Sequence, residues 1–236
     1  VSFTEIEGLL IDAEEPRLAK AREEMRRGAF EARELRLVKQ LLRPGQRVME
    51  LGTCTGFVAM HIARIVGAAN IVCYEANPDN VRIAQRHFAA NGLDVAIHHA
   101  VLTPRARIAP ETPPTVPFYL SRGLVSSALT PAGMRRFEEV AVPRRCLEEE
   151  IARHGAQVLV LDIEGAEVEL LGEGDLTGIE AIIMETHYRK AGVRATNAMI
   201  AALIAQGFRL DLRASASEVV HLYRTGTGPE AEEAAG

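Results

Sequence analysis

The feature that most constrains this chain is a short apolar run that ends in a glycine-bearing loop and passes directly into a helix. Arg47 to Leu51 forms the run, Gly52 to Gly56 the loop, and Val58, Ile62 and Ile65 fall at helical spacing until Gly67 closes the helix. The unit then repeats. Ile71 to Tyr74 reads as a second strand, and Asn77-Pro78-Asp79 has the cap, first-position proline and acidic first turn of a helix start. Val81, Ala84 and Phe88 give that helix one apolar face before Asn91-Gly92 ends it. Val95–Val101, Val158–Leu161 and Ala181–Met184 continue the series, with helices from about Ala166 and around Met199–Ile204. Strands joined by whole helices cannot pair as hairpins, so they must lie parallel and be covered on both faces. Phe208–Leu212 and Val219–Tyr223 are too close for a crossover and are expected to pair antiparallel at the edge. The pattern therefore predicts an α/β fold: a doubly wound, mostly parallel sheet with helices on both faces and a C-terminal hairpin.

Around this core, residues 1–45 are expected to be an N-terminal helical segment closed by Pro44-Gly45, and 46–224 the main domain. Residues 103–147 carry seven prolines and break the rhythm, with strand-like pieces at Phe118–Leu120 and Val140–Val142. They are expected to form an inserted subregion that walls the substrate side. The tail 225–236, rich in Gly, Ala and Glu, is expected to be disordered. With 236 residues, 47% of them hydrophobic, there is chain for one large core. The net charge of −5 argues against a nucleic-acid partner, and no apolar run nears the ~18 residues of a membrane span. Three cysteines without a CxxC pair fit a reducing compartment, and no charged start followed by an apolar core opens the chain, so a cytoplasmic location is expected. The N-terminal helical segment is the expected surface for homo-oligomer formation.

Ligands on such sheets bind at the carboxyl ends of the strands, where the strand order reverses. Glu50-Leu51-Gly52-Thr53-Cys54-Thr55-Gly56 occupies that position. Its glycines allow a tight turn and close approach of a ligand, although any strand-to-helix turn could use them. The spacing is neither G-x-G-x-x-G nor that of a phosphate-binding P-loop. Glu75, nineteen positions after Gly56, ends the second strand, where a carboxylate accepts hydrogen bonds from both hydroxyls of a ribose.

Glu50–Gly56, Tyr74-Glu75-Ala76-Asn77-Pro78, Asn91-Gly92, Leu161-Asp162-Ile163-Glu164-Gly165-Ala166-Glu167 and Met184-Glu185-Thr186-His187 together resemble the FkbM-type family of S-adenosylmethionine-dependent methyltransferases, over roughly residues 46–223. The resemblance implies a seven-stranded sheet, S-adenosylmethionine as cofactor and methylation of a hydroxyl oxygen. Carried onto this chain, it implies a cofactor site of Glu50, Gly52, Thr53, Thr55, Gly56, Glu75, Asn77 and Asp162; Ala100, or His99 before it, joins the adenine pocket as the end of the third strand. Thr53-Cys54-Thr55 departs from the small residue and Asn that family members often carry there, and Glu50 stands where Asp is common.

Methyl transfer to an alcohol requires alignment, exclusion of water and a destination for the proton. The candidates are Asp162 and Glu164 after the fourth strand and Glu185 and His187 after the fifth. Asp162 suits the methionine amino group or the acceptor, Glu164 the acceptor, and His187 general-base work. Asp162 and Glu164 also read as plain loop carboxylates, and Glu167 as a stabiliser of its helix N-terminus. The same four side chains have donor types suited to a divalent metal, but no local spacing requires one, and no metal is expected. Cys54 has no neighbouring base and reads as a small packing residue. The expected reaction is O-methylation of a small or sugar-containing molecule. A non-catalytic S-adenosylmethionine-binding module and a nicotinamide-dependent oxidoreductase are the competing readings.

Overall fold

The computed structural model describes residues 1–121, 129 and 137–224. Among them the elements run β1 (Phe3–Ile6), β2 (Leu9–Asp12), α1 (Ala19–Arg26), α2 (Ala32–Leu41), β3 (Val48–Leu51), α3 (Phe57–Val66), β4 (Ile71–Glu75), α4 (Pro78–Ala90), β5 (Ala96–His99) and β6 (Val101–Thr103). They continue with β7 (Thr115–Leu120), β8 (Glu138–Cys146), α5 (Leu147–His154), β9 (Val158–Leu161), α6 (Glu167–Glu173), β10 (Ala181–Glu185), α7 (Tyr188–Ala191), α8 (Val193–Ala205), β11 (Phe208–Leu210) and β12 (Val219–Arg224).

Seven strands form one sheet in the order β11-β12-β10-β9-β3-β4-β5. Strands β3, β4, β5, β9 and β10 are parallel, and β12 runs antiparallel to both β10 and β11, as the terminal hairpin requires. The chain moves outward from β3 to β5 and then returns to lay β9 on the other side of β3. That reversal opens a crevice at the carboxyl ends of β3 and β9. Alternate residues of the central strands enter opposite cores, which is why each strand is apolar throughout. Val48, Cys73, Val160 and Ile183 pack on the α2–α3–α4 side, whereas Met49, Leu51, Tyr74, Leu159 and Met184 pack toward α5, α6 and α8.

Two sequence expectations need correction. The first twelve residues are not helical: β1 and β2 form an antiparallel hairpin turning on Glu7 and Gly8, both at positive φ, with Leu9 and Ile11 fully buried. A two-residue turn of this hand fits strand twist, but Glu-Gly is a weaker sequence signal than Asn-Gly. The helical part of the N-terminal segment turns its apolar residues inward, while Phe3 and Leu10 of the hairpin are exposed. Leu18, Met25, Leu35, Leu37 and Val38 are buried in the chain's own core with Phe57, Met60 and Ile62. Second, the third strand is divided at Ala100, where β5 ends in the main sheet and β6 enters a three-stranded sheet of order β6-β8-β7.

Within 103–147 the two strand-like pieces pair, Phe118 opposite Val140. Residues 122–128 and 130–136, and the tail 225–236, lie outside the described residues. No helix among the described residues is long and apolar enough to cross a membrane.

Candidate active site

Two groups of residues meet at the crevice. The first is a cradle at the ends of β3 and β4. Gly52, at φ +84°, lies so close to β9 that a Cβ there would overlap the Asp162 carbonyl oxygen. Only glycine lets these two strand exits meet. The amides of Gly52 and Thr53 donate to the Tyr74 carbonyl at 2.9 and 3.4 Å, which draws the loop over β4. The Cys54 amide then donates to Glu75 Oε2, and the Asn77 amide to Glu75 Oε1, both at 2.7 Å. Glu75 is 7% exposed, and its carboxylate is held rigid by two backbone donors while each oxygen keeps acceptor capacity. Burial raises its pKa, with the backbone hydrogen bonds opposing.

The remaining cradle residues divide by role. Asn77 accepts from the Asp79 amide at 3.0 Å and caps α4, so its side chain holds the scaffold. Gly56 caps α3, and a Cβ on it would sit 2.7 Å from the Phe88 ring; its smallness serves the packing of α3 on α4. Ala100 is buried, and its amide donates to the Glu75 carbonyl at 3.2 Å. His99 Nε2 lies 3.0 Å from the Ala76 carbonyl. Thr53 is buried beneath the loop, and Thr55 Oγ1 is buried without a hydrogen-bond partner. Glu50 is also buried with Oε2 unpartnered, and burial pushes its carboxyl up to about 7.

The second group is a rim at the ends of β9 and β10. Its centre is His187 Nε2, which lies 3.4 Å from Asp162 Oδ1, 3.5 Å from Glu164 Oε2 and 4.0 Å from Glu185 Oε2. Glu164 takes a left-handed φ of 57° and forms a close ion pair with Lys190. The structure thus brings all four residues expected of the reaction centre to one place. Burial alone would depress the His187 imidazole, but Glu167, Asp162 and Glu185 outweigh it and raise its pKa. Burial, with Asp162 and Glu34 nearby, pushes the Glu185 carboxyl up to about 7.

Three rim residues escaped sequence reasoning. Glu167, fully buried, accepts from the His187 amide at 2.7 Å and the Gly165 amide at 2.8 Å, and its Oε1 also lies 3.3 Å from His187 Nδ1. The sequence placed it only at the start of a helix. Glu31 and Glu34 arrive from the N-terminal segment. Burial, then the charges of Asp162, Glu34, Glu50 and Glu185, push the Glu31 carboxyl well up; burial and Asp162 likewise raise Glu34. No local pattern in the sequence links α2 to residues 130 positions away.

The family model for the methyltransferase FkbM domain matches residues 50–210, which contain the cradle and the four-residue rim. This chain belongs to that family. S-adenosylmethionine is the family's cofactor. The chain is 32% identical over 68 residues to a ribosomal protein L11 methyltransferase of Symbiobacterium thermophilum; the match covers 29% of this chain and 22% of that relative, so it spans only about a fifth of the relative's length. Among solved structures it is similar to the ribosomal protein L11 methylase of Lactobacillus delbrueckii subsp. bulgaricus, with 12% identity, TM-score 0.46, and 81% and 75% of the two chains covered. It is also similar to the 23S rRNA methyltransferase ErmE, with 15% identity, TM-score 0.42, and 81% and 66% covered.

The exclusion of nucleic acid drawn from net charge does not stand. The relative matched over 68 residues is named for methylating a ribosomal protein, and a net charge of −5 does not by itself rule out a nucleic-acid or other macromolecular partner. Net charge sums the whole surface, whereas docking depends on the local field.

The cradle fits the family's cofactor. Glu75 presents a backbone-braced carboxylate for two hydroxyls, and Glu50 Oε2 and Thr55 Oγ1 are buried polar atoms without partners. The many carboxylates suit a ligand that carries an ammonium and a sulfonium.

Proposed function

We infer that this chain transfers the methyl group of S-adenosylmethionine to a hydroxyl oxygen, on a small or sugar-containing molecule. The observation that carries this reading is the contact between the two halves of the site. The Gly52 turn, which opens the cradle, rests on Asp162, which begins the rim. When bound, the cofactor supplies a methyl group already activated by its positive sulfur. Glu75 receives the ribose hydroxyls, and charge-assisted bonds of this kind contribute about 1.5–3 kcal/mol each. Glu50 and Asp162 supply negative charge to the methionine end, and the loop amides fix the turn over which it lies. Ala100 closes the adenine side without bulk.

The chemistry left to the protein is alignment and proton handling. Asp162, Glu164, Glu185 and His187 converge from two adjacent strand ends, so a hydroxyl among them meets several acceptors within one hydrogen-bond length. The sheet formed by β6, β8 and β7 follows directly from the end of β5 and supports a role for 103–147 as the acceptor wall. The rim's intact set of four favours a catalyst over a binding-only module, and the loop spacing disfavours a nicotinamide cofactor.

The test is a labelled-methyl assay on the purified chain with three acceptor pools: small and sugar-containing metabolites, total RNA and ribosomal protein. Label in an alkali-stable methyl ether of the first pool is the expected result. Label confined to a nitrogen or carbon centre in any pool would refute hydroxyl specificity, and label in RNA or protein alone would reassign the acceptor class.

A further inference from the structure

The rim gathers several carboxyl groups around one imidazole, and that imidazole is held from behind. Glu167 is fully buried, grips the backbone amide of His187 and faces Nδ1 of the same ring at 3.3 Å. That brace turns Nε2 toward Asp162, Glu164 and Glu185. His187 Nδ1 is a buried nitrogen without a hydrogen-bond partner, and Glu167 Oε1 at 3.3 Å is the acceptor that a small ring rotation would bring into use, as in the carboxylate–histidine pairs that orient metal ligands. One donor atom each from Asp162, Glu185 and His187 lies within 4.8 Å of the others. Asp162 Oδ1 is moreover a buried oxygen without a hydrogen-bond partner.

The dimensions suit a small divalent cation. An octahedral ion with ligands at about 2.1 Å places neighbouring donors about 3 Å apart and opposite donors about 4.2 Å apart. The separations of 3.4 and 4.0 Å between His187 Nε2 and the two carboxylates need only small side-chain adjustments to reach that geometry. Lys190 pairs with Glu164 and also acts on Asp162, while the His187 imidazole faces both Asp162 and Glu185. The sequence alone offered no reason to prefer a metal here, because the three donors come from two strand ends and need the fold to meet.

We propose that Asp162, Glu185 and His187 bind one divalent cation of the Mg2+ or Mn2+ class at the acceptor end of the site. Two carboxylates and one imidazole suit such an ion, and three protein ligands leave positions open for water and an acceptor hydroxyl. The proposal rests on the methyl-transfer reading and specifies how that reading handles the hydroxyl: the cation favours its ionised form, with Glu167 as the positioning residue behind His187.

Mn2+ is the probe. The chelator-stripped full chain is titrated with Mn2+ and followed by electron paramagnetic resonance, with Glu185→Gln and His187→Ala in parallel. S-adenosylmethionine binding to each protein is measured separately by calorimetry. The expected result is one Mn2+ per chain, at least tenfold weaker binding in both variants, and cofactor affinity unchanged within about twofold. Selective broadening of the His187 ring resonances by substoichiometric Mn2+ locates the ion without relying on a variant. Failure of the wild-type chain to bind Mn2+ in the millimolar range, equal affinity in the variants, or unbroadened His187 signals would overturn the metal site. Loss of cofactor binding in the wild type would instead refute the methyl-transfer reading.

Discussion

The cradle and the rim solve their tasks with different materials. At the cradle the backbone does most of the positioning: the amides of Cys54 and Asn77 hold Glu75, and those of Gly52 and Thr53 fold the loop onto β4. At the rim, side chains from separate segments hold one another, with Glu167 behind His187 and three carboxylates before it. A backbone-built site keeps its geometry through many substitutions and suits a cofactor that never changes. A site of converging charges is sensitive to each member and can be retuned for different acceptors.

Gly52 belongs to both groups, and changing it should have the largest effect. Gly52→Ala adds a methyl group in collision with the Asp162 carbonyl at a φ of +84°, and should lower stability by about 3 kcal/mol or more. Gly92→Ala, also at positive φ but with open space around it, should cost only about 1 kcal/mol. Thermal denaturation of the two variants checks this, and equal losses would mean that the β3 and β9 exits do not touch.

His187→Ala should separate the groups. Turnover is expected to fall at least hundredfold, on the order of the 10²–10⁴ that proton-handling groups contribute, while cofactor affinity stays within about twofold. A parallel loss of both, measured by steady-state kinetics and calorimetry, would show that cradle and rim are one unit.

Glu50 tests the buried side of the cradle through pH. Its folded carboxyl titrates near 7, above the 4.5 of an ordinary Glu, so the folded state holds the proton more tightly than the unfolded chain. Its contribution is therefore fully favourable below about 4.5 and is lost as pH rises through about 7. Glu50→Gln should match wild-type stability at pH 5 and exceed it by roughly 2 kcal/mol at pH 8 without cofactor. Denaturant titrations at the two pH values measure it, and a constant difference between the proteins would remove the shift.

The smallest effect should come from α2. Glu31→Gln is expected to weaken cofactor binding two- to fivefold, because Glu31 lies near both Glu50 and Asp162, whereas Glu34→Gln should leave it unchanged. Equal effects would assign both residues to the same group.

Much of the fold was legible because it rests on local signals. The β3 loop, the Asn77 cap and the Phe208–Tyr223 hairpin each announce themselves within a few residues. The β1–β2 hairpin did not, since four-residue strands around Glu7-Gly8 are too short to show alternation. For the site, strand ends were readable as places, so Glu75, Asp162, Glu185 and His187 could be named. Glu31, Glu34 and the bracing role of Glu167 could not, because their meaning arises from contacts across the sheet. Gly56 carries a constraint that its spacing did not reveal: a Cβ there would meet the Phe88 ring where α3 packs on α4.

Calorimetric titration of S-adenosylmethionine into the wild-type chain, Glu75→Gln and Glu75→Ala tests the account most directly. Saturable one-to-one binding is expected, weakened about tenfold in the Gln variant, which keeps one acceptor oxygen, and about a hundredfold in the Ala variant. Three superimposable isotherms would contradict it.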